Sequence, residues 1–306
     1  MSSTPADVSV IVVTYNSRPF IGDCLSSLML SNVSTEVVVI DNASADETAA
    51  EVRATHPDTK VIELARNVGF AGAVNIGIGR TSGRNVLLLN PDAVVRPDTL
   101  QRLVAFLDRE PSAGVAAPRL LNPDGSDQRT ARSFPTPAAA LFGRRSPLTR
   151  WWPNNSFSAR YLSTGTPSAA LPFQVDWVSG ACLMVPRRVV DHVGPLDLRY
   201  FMYWEDADWC RRIRSAGYRV FCVPAAEAVH AEGSCRRGWP SAQLAHFHRS
   251  AYHYYARHHL QGSRAIARPA AAAVLTLRAG ALMAVGELRA RNERKTLSTA
   301  DAAGNR

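Results

Sequence analysis

The sequence lacks the patterns that mark several common classes of protein. Its five cysteines are odd in number and none has Cys-x-x-Cys spacing, which argues against a disulfide framework and against a zinc site. No Gly-x-Gly-x-x-Gly follows the first apolar run and no Walker-type Gly-Lys-Ser is present, so dinucleotide-binding and P-loop folds lose support. No nucleic-acid-binding module is recognisable, so nucleic acid is not predicted as a partner. Because no basic region precedes an apolar core near residue 1, we predict no signal peptide and expect a reducing, cytosolic setting.

Acidic residues are scarcer than basic ones. The 306 residues contain 35 lysines and arginines against 26 aspartates and glutamates, a formal net charge of +9. This excess predicts anionic partners, such as nucleotide phosphates or an acidic membrane surface. With 46% hydrophobic residues, the chain can bury a sizeable core in one large α/β domain or in two small ones.

Four short apolar runs in the first third of the chain each end in a polar turn. They cover residues 8–13, 36–40, 61–64 and 86–89, with helical patterns between them. This alternation predicts a parallel sheet with right-handed crossovers, whose polar strand ends share one edge. The polar residues that follow the runs are Thr14, Asp41, Asn67 and Asp92. Open α/β sheets bind their ligands at that edge, so we expect one binding cleft there.

The residues at these strand ends suit a nucleotide. A carboxylate such as Asp41 can accept the imide N–H of a uracil or thymine ring, and Arg66 with the backbone near Gly69 can hold phosphate. Asp92, with Asn90 on the same face, suits one hard cation and the phosphate oxygens that it bridges. Helix caps and ordinary turns are the alternative explanations. The convergence of the four ends favours a nucleoside-diphosphate compound held by a metal.

The second half supplies candidates for an acceptor side. Residues 177–185 have strand character, and Gly180 within them either allows close approach of a substrate or serves packing. Trp204 precedes Glu205 and Asp206, as expected of a wall for a sugar ring beside a proton acceptor. Because these acids begin a helix predicted to reach residue 216, capping of the helix dipole also explains one or two of them.

Residues 206–208 imitate a metal-binding Asp-x-Asp. On a helix, however, positions two apart diverge by about 200°, so this is not predicted to be a metal site. We expect Asp208 to pair with Arg211 or Arg212 on the helix surface instead.

Two later stretches have weaker patterns. Residues 132–172 are rich in Pro, Ser, Arg and aromatic residues, and we interpret them as an acceptor-side excursion or a flexible linker. Residues 241–259 are predicted to form a helix. Residues 270–286 are apolar but interrupted by Arg278, too short and too charged to span a bilayer alone. They are expected to lie on an anionic membrane surface or to form an ordinary terminal helix.

The motifs together resemble the inverting family-2 glycosyltransferases with the GT-A fold, and most closely the bacterial rhamnosyltransferase-type members. The resemblance is carried by Thr14-Tyr15-Asn16, Asp41-Asn42-Ala43-Ser44-Ala45-Asp46, Asn67-Val68-Gly69-Phe70-Ala71-Gly72 with Asn75, and Leu89-Asn90-Pro91-Asp92. It implies an α/β fold with a mostly parallel, Rossmann-like central sheet flanked by helices, and a C-terminal helical extension. Residues 1–262 would form the transferase domain, with a donor half of about 1–118 and an acceptor half of about 119–262. Residues 263–306 would form a basic helical tail.

The resemblance also implies roles for individual residues. Asp41 would contact the base, Asp92 would be the remaining carboxylate of the family's Asp-x-Asp element, and Asn90 replaces its first acid. Asp206 matches the general base of a Trp-Glu-Asp element. The donor-binding set is Thr14, Tyr15, Asn16, Asp41, Asn42, Arg66, Asn67, Gly69, Phe70, Asn75, Asn90 and Asp92. The catalytic candidates are Asp206 and Glu205, the acceptor-binding ones Gly180 and Trp204, and the ligands for Mg²⁺ or Mn²⁺ Asp92 and His230.

The function that the resemblance implies is transfer of a sugar in cell-envelope glycan synthesis. The donor would be a nucleotide-diphospho-sugar, dTDP-rhamnose, and the acceptor a polyprenyl-diphosphate-linked sugar or a glycan. The protein would be cytoplasmic and peripheral on the inner face of the plasma membrane. The alternatives are a UDP-sugar-dependent galactofuranosyl or hexosaminyl transferase, and a non-catalytic nucleotide-sugar-binding protein. A nucleotidyltransferase is disfavoured because no Gly-rich, Lys/Arg-containing phosphate loop follows the first strand.

Overall fold

The computed structural model describes residues 6–136, 171–231 and 241–304, with side chains described as far as residue 287. The chain divides into two compact units. The first is Met1–Phe201 with Glu205–Cys235, and the second is Met202–Trp204 with Arg236–Arg306. Most of the predicted acceptor-side excursion, residues 137–170, lies outside the described residues. The division of the chain at residue 262 stays a prediction.

The first unit begins with parallel strands joined by helices. Its opening elements are β1 Val8–Thr14, α1 Arg18–Met29, β2 Thr35–Asp41, α2 Thr48–Thr55, β3 Lys60–Glu63, α3 Gly69–Ile78 and β4 Asn85–Leu89. Strand β1 pairs in parallel with β2 and β4, and β2 pairs in parallel with β3. Every residue of β1 and β4 is buried, which is why these strands are almost continuously apolar. The parallel arrangement predicted from the four apolar runs is confirmed.

The rest of the first unit extends the sheet. The elements are β5 Ala93–Val95, α4 Thr99–Arg109, β6 Ala113–Leu121, β7 Phe173–Val175, β8 Cys182–Pro186, α5 Arg187–Val193, α6 Glu205–Ser215 and β9 Arg219–His230. The strand order is β3-β2-β1-β4-β8-β6-β9-β5, with β7 paired to β9. Strand β8 runs antiparallel to both β4 and β6, whereas β6 and β9 are parallel. The predicted α/β fold with a helix-flanked central sheet is confirmed.

Two strands differ from the sequence-based expectation. The turn at residues 90–92 leads into β5, a short strand that the sequence did not predict ahead of α4. The apolar pattern of residues 219–223 predicts a strand, and β9 continues beyond it to His230. Both differences have one cause, because β5 pairs antiparallel with the end of β9 and Ala93 lies opposite His230. This pairing places Asp92 next to His230.

The second unit is helical in its described part. It contains α7 Ser241–His258, a 3₁₀ helix Gly262–Ala267 and α8 Arg268–Gly304. The helical stretch Gly262–Glu287 has 26 residues and is long and apolar enough to cross a membrane by length and composition. Its length is about 40 Å, against about 30 Å for a bilayer hydrocarbon core. The helix is therefore longer than the apolar run predicted at 270–286, because helical residues continue at both ends.

Candidate active site

The polar residues after β1 and β2 form one hydrogen-bonded group. Buried Asp41 accepts hydrogen bonds from Thr14 Oγ1 at 2.9 Å, from Ser44 Oγ, and from the Ser44 N–H at 3.0 Å. The Asn16 N–H donates to Ser44 Oγ at 2.9 Å, and Asn16 Oδ1 accepts from the Ala45 N–H at 2.8 Å. Ser44 thus belongs to this hydrogen-bonded group and does not cap α2, which begins after Glu47. A carboxylate has about four acceptor positions, so Asp41 keeps one for a ligand.

Asn42 and Asn67 shape the start of α3. Asn42 is buried; its Nδ2 donates to the Gly69 carbonyl at 3.2 Å, and its Oδ1 accepts from the Val68 N–H at 2.8 Å. Asn67 Oδ1 accepts from the Gly69 N–H at 2.9 Å. Gly69 has φ +81°, and a Cβ there would lie 2.4 Å from the Phe201 carbonyl oxygen, so only glycine fits. The Asn42 amide thus holds the loop at residues 68–69 in place. Its effect on nucleotide binding would come from positioning this loop, not from direct contact with the nucleotide.

Asn75 and Phe70 connect α3 to residues 196–201. Asn75 Nδ2 donates to the Leu196 carbonyl at 2.8 Å, and its Oδ1 accepts from the Leu196 N–H at 3.0 Å. The Phe70 N–H donates to the Phe201 carbonyl at 2.7 Å. Asn75 therefore holds backbone with both ends of its amide. By contrast, Tyr15 and Arg66 of the same predicted donor set have exposed side chains that a ligand can reach from solvent.

Asp92 and His230 meet at the β5–β9 pairing. Asp92 Oδ1 lies 3.3 Å from His230 Nε2, and the two side chains are only 10% and 9% exposed. Asn90 Nδ2 is 3.4 Å from the same ring nitrogen. The Ala231 N–H donates to the Asp92 carbonyl at 3.0 Å. The backbone ladder therefore sets the separation of the two predicted metal ligands.

Gln128, which sequence reasoning missed, orients the His230 ring. Its Nε2 donates to the His230 carbonyl oxygen and, at 2.9 Å, to Asn122 Oδ1. Because a carbonyl only accepts, this fixes the amide, and Gln128 Oε1 must accept from His230 Nδ1 at 3.0 Å. A neutral ring with its proton on Nδ1 keeps a lone pair on Nε2, beside Asp92. A lone glutamine after a turn gives no sequence signal of this role.

The Asp92–His230 pair fits a divalent cation. Asp92 Oδ1 and His230 Nε2 lie 3.3 Å apart, and a carboxylate oxygen with a neutral imidazole nitrogen makes a ligand pair for such a cation. Neighbouring ligands of an octahedral cation at about 2.1 Å are roughly 3 Å apart, which matches this spacing. Within residues 6–136, 171–231 and 241–287, no group of three or more His, Cys, Asp or Glu side chains gathers to hold a metal. Further oxygen ligands would therefore come from a diphosphate or from water.

Glu205 and Asp206 are the first two residues of α6, and their carboxyl groups differ in their hydrogen-bond partners. Asp206 Oδ2 accepts from the Gly180 N–H at 3.0 Å and Oδ1 from the Ala207 N–H at 2.7 Å. Burial raises the pKa of Asp206, while these hydrogen bonds and the charge of Arg132 act in the opposite direction. Burial, and then the charge of Asp206, raise the pKa of Glu205 well above its usual range. Glu205 Oε2 has no hydrogen-bond partner among the described residues. Glu205 therefore favours its protonated form, while Asp206 is the carboxyl that backbone N–H groups stabilise as an anion.

The backbone of Gly180 and Ala181 links Asp206 to the donor edge. The Gly180 N–H binds Asp206, and the Ala181 carbonyl accepts from the Asn90 N–H at 2.9 Å. A Cβ at residue 180 would lie 3.5 Å from Asp206 Cβ and 3.8 Å from Phe70 Cε1, which is ordinary contact. The Gly180–Ala181 segment thus lies between Asp206, the predicted base, and Phe70 and Asn90, two residues predicted to bind the donor. These residues, far apart in sequence, were predicted to share one site.

Trp204 lies in a strained turn and is packed within the second unit. Tyr203 and Trp204 have φ of +67° and +70°, a left-handed conformation that costs about 1–2 kcal/mol per bulky residue. The Trp204 ring is 5.6, 5.2 and 5.6 Å from the rings of Phe247, Tyr254 and Tyr255. Its role as an acceptor-binding wall stays a prediction.

Asp208 pairs with Arg212 as predicted, but the pair is not on the helix surface. Asp208 is fully buried, its Oδ2 lies 2.9 Å from Arg212 Nε, and its Oδ1 accepts from the Tyr200 hydroxyl at 3.2 Å. The expectation of a surface pair was wrong because α6 turns this side toward Tyr200 and the residues before it. Asp208 therefore stabilises the fold through its contacts with Arg212 and Tyr200.

The sequence matches the model of glycosyl transferase family 2 over residues 9–177. The chain is 32% identical over 298 residues to the N-acetylglucosaminyl-diphospho-decaprenol L-rhamnosyltransferase of Mycobacterium tuberculosis, covering 94% of this chain and 95% of that protein. It is 25% identical over 236 residues to the dTDP-rhamnosyl transferase RfbF of Shigella flexneri, covering 74% of this chain and 70% of RfbF.

Solved structures share the fold. A mannosyltransferase from Pyrobaculum calidifontis, in complex with GDP-Man and Mn²⁺, superposes with a TM-score of 0.56 at 21% identity. The match covers 94% of this chain and 81% of that one. At this identity the likeness shows the fold alone, a GT-A fold like the one the sequence motifs implied. The family model spans more than half of this chain, and the mycobacterial relative matches it almost end to end. The chain therefore belongs to glycosyl transferase family 2.

Proposed function

We propose that this glycosyltransferase is an inverting, cation-dependent enzyme that moves rhamnose from dTDP-rhamnose to a polyprenyl-diphosphate-linked sugar. The observation that carries the proposal is the Gly180–Ala181 backbone, which binds Asp206 on one side and Asn90 on the other. This link supports Asp206 as the proton acceptor beside the edge that holds Asp92 and His230. The names of the mycobacterial and Shigella relatives support rhamnose as the sugar, and the mycobacterial name supports a lipid diphosphate as the acceptor.

The chemistry is a single displacement. Asp206 takes the proton of the acceptor hydroxyl while that oxygen attacks the anomeric carbon of the donor. The bond from this carbon to the diphosphate oxygen breaks, and attack from the opposite face inverts the configuration. Asp41 offers its remaining acceptor position to the base of the nucleotide. A Mg²⁺ or Mn²⁺ ion bound by Asp92 and His230 would supply positive charge against the leaving diphosphate.

The second unit fits attachment to a membrane that carries a lipid-linked acceptor. Large apolar side chains of the stretch Gly262–Glu287, Ile266, Val274 and Leu277 among them, are exposed. Basic residues in the same stretch suit anionic headgroups. Localisation at the cytoplasmic face of the plasma membrane is part of this proposal.

A donor panel tests the proposed function. The full chain is incubated with Mg²⁺ or Mn²⁺, a GlcNAc-diphospho-lipid, and dTDP-rhamnose, UDP-galactofuranose or UDP-GlcNAc in turn. We expect a product one rhamnose heavier, with inverted anomeric configuration, from dTDP-rhamnose alone, and none after chelation. Transfer from only a UDP-sugar would favour the galactofuranosyl or hexosaminyl alternative. Nucleotide binding without consumption of any donor would favour a non-catalytic binding protein.

Replacing Gln128 by leucine is expected to weaken cation binding about 10- to 100-fold, the usual effect of losing a hydrogen bond that orients a metal-binding histidine. The substitution removes the acceptor for His230 Nδ1 and frees the ring to turn or to change tautomer. Mn²⁺ affinity, titrated by electron paramagnetic resonance in the presence of dTDP, measures the effect. The control is Gln101→Leu on the exposed face of α4. Equal affinities in the two variants would remove Gln128 from this role.

A further inference from the structure

Helix α8 of the second unit has one exposed apolar face. At 3.6 residues per turn, eight exposed positions between residues 270 and 285 share an arc of about 140°. Leu277 lies near the middle of this arc and is 74% exposed, and Val274 beside it is 60% exposed. None of the eight residues is charged. We call this arc the outer face; it consists of Ala270, Ala273, Val274, Leu277, Gly280, Ala281, Ala284 and Val285.

The opposite side of α8 packs on α7 of the same unit. Arg268 fixes the start of α8 to the end of α7, because its Nε donates to the Leu260 carbonyl at 2.9 Å and its Nη2 to the Ala256 carbonyl at 3.3 Å. The buried and half-buried positions between residues 270 and 286 lie on this packed side, at 271, 272, 275, 278, 279 and 283. One side of α8 is thus covered by protein and the other is not.

The packing on α7 decides how α8 can meet a membrane, although the stretch is long enough to cross one. Arg278, the single charged residue between 270 and 286, lies on the packed side. Burial lowers the pKa of His248 in α7, and the charge of Arg278 adds to this effect. Helix α7 has two arginines and four histidines among its 18 residues, which are costly to place in hydrocarbon. A crossing α8 would have to draw α7 into the bilayer or lose its packing, whereas a helix in the membrane plane immerses the outer face alone.

The net positive charge of the chain comes from the segment that contains α8. Residues 236–306 contain 12 lysines and arginines against 3 aspartates and glutamates, a formal charge of +9. Residues 1–235 contain 23 residues of each sign, so this segment accounts for the +9 of the whole chain. Anionic lipid headgroups attract a basic segment of this kind. A second copy of the chain could also cover an apolar helix face, but it carries the same charge and would be repelled.

We propose that α8 lies in the plane of an anionic membrane, with the outer face among the acyl chains and α7 on the aqueous side. This inference deepens the membrane attachment that forms part of the proposed function. It names the face that inserts, replaces a crossing helix by one that lies in the surface, and requires acidic lipid. A chain held in this way stays at the headgroup layer, where the diphosphate of a lipid-linked acceptor lies.

Vesicle binding tests the inference. The full chain is mixed with sucrose-loaded vesicles of phosphatidylcholine, with or without phosphatidylglycerol, and the bound protein is measured after sedimentation. We expect strong binding only to vesicles that contain phosphatidylglycerol, and weaker binding as the salt concentration rises. Leu277→Glu should weaken this binding about 10- to 100-fold, because it removes an apolar side chain from the inserted face and puts a charge in its place.

Thr276→Glu is the matched control. Thr276 is exposed on the same helix and precedes Leu277, but it lies outside the outer face, and the substitution makes the same change of charge. For a helix in the membrane plane it should weaken binding by about fivefold at most, the effect of one negative charge near the surface. In a crossing helix residues 276 and 277 would lie at nearly the same depth, and the two variants would lose binding equally. Circular dichroism and thermal melting confirm that each variant is folded.

Four outcomes would overturn the inference. They are no binding of wild type to vesicles with phosphatidylglycerol, equal binding without this lipid, normal binding by Leu277→Glu, and equal losses in the two variants. If wild type does not bind and Leu277→Glu dissociates a dimer in light scattering, the outer face belongs to a second copy. The assay contains neither donor nor acceptor, so a failure to transfer rhamnose would refute the proposed function and leave this inference intact.

Discussion

Asp206→Asn should lower kcat by about 10²- to 10⁴-fold, the usual contribution of a positioned general base, and leave the Kd for dTDP unchanged. The amide cannot take the proton of the acceptor hydroxyl, whereas the nucleotide would bind through residues on other strands. Steady-state transfer of rhamnose and calorimetric titration with dTDP measure the two quantities. Near-normal turnover by this variant would remove Asp206 from the role.

A substitution at Glu205 and the pH dependence of the transfer rate distinguish a general base at Asp206 from a carboxyl that only supports the fold. Glu205→Gln should lose far less activity than Asp206→Asn, because burial and the charge of Asp206 raise the pKa of Glu205 and make it a poor proton acceptor. The wild-type rate should fall as the pH drops through the raised pKa of Asp206, because only the ionised carboxylate accepts a proton. This acidic limb should therefore lie above the ordinary aspartate pKa of about 3.9. The variant Asp206→Asn should lack it.

Asp92→Asn should lower cation-dependent turnover by about 10³-fold, in line with the several kcal/mol that a bound cation supplies to a leaving group. An amide oxygen carries no full charge, so Mn²⁺ affinity in the presence of dTDP should fall with it. Asp98→Asn is the control, since Asp98 lies in the same part of the chain but pairs with Arg102 on the surface. Undiminished Mn²⁺ binding by Asp92→Asn would show that the cation, if one is used, is held elsewhere.

Cation removal should leave the protein folded. The separation of Asp92 and His230 is set by the pairing of Ala93 with His230 and by the bond from the Ala231 N–H, not by a metal. The β5–β9 pairing would therefore hold the two proposed ligands together without a cation, unlike a structural zinc site whose metal drives folding.

The sequence predicted most reliably those strands whose amino-acid pattern follows directly from their burial in the sheet. Strands buried on both faces must be almost continuously apolar, so β1, β2 and β4 could be recognised and their polar ends located. Parallel connections then bring those ends to one edge without any knowledge of side-chain contacts. For this reason Thr14 and Asp41, which share a hydrogen bond, could be grouped from the sequence.

The rest depended on contacts between distant residues. Strand β5 has three residues and exists through its pairing with β9, so its own pattern is too short to be recognised. Gln128 matters through His230, far along the chain, and no local motif marks it. Asn42 and Asn75 lie in family-like motifs, but the structure uses their amides to hold backbone. A motif gives the position of such a residue without telling which atoms it contacts.

The place of β8 in the sheet has a consequence for biosynthesis. This strand lies between β4 and β6, although it follows both in the chain. A fragment ending near residue 118 would leave an apolar strand edge without its neighbour, which favours aggregation. On a ribosome that adds about 5–20 residues per second, β4 would wait roughly 5–20 seconds for its partner. The nascent protein should consequently need chaperone protection during that interval, and residues 1–118 expressed alone should aggregate.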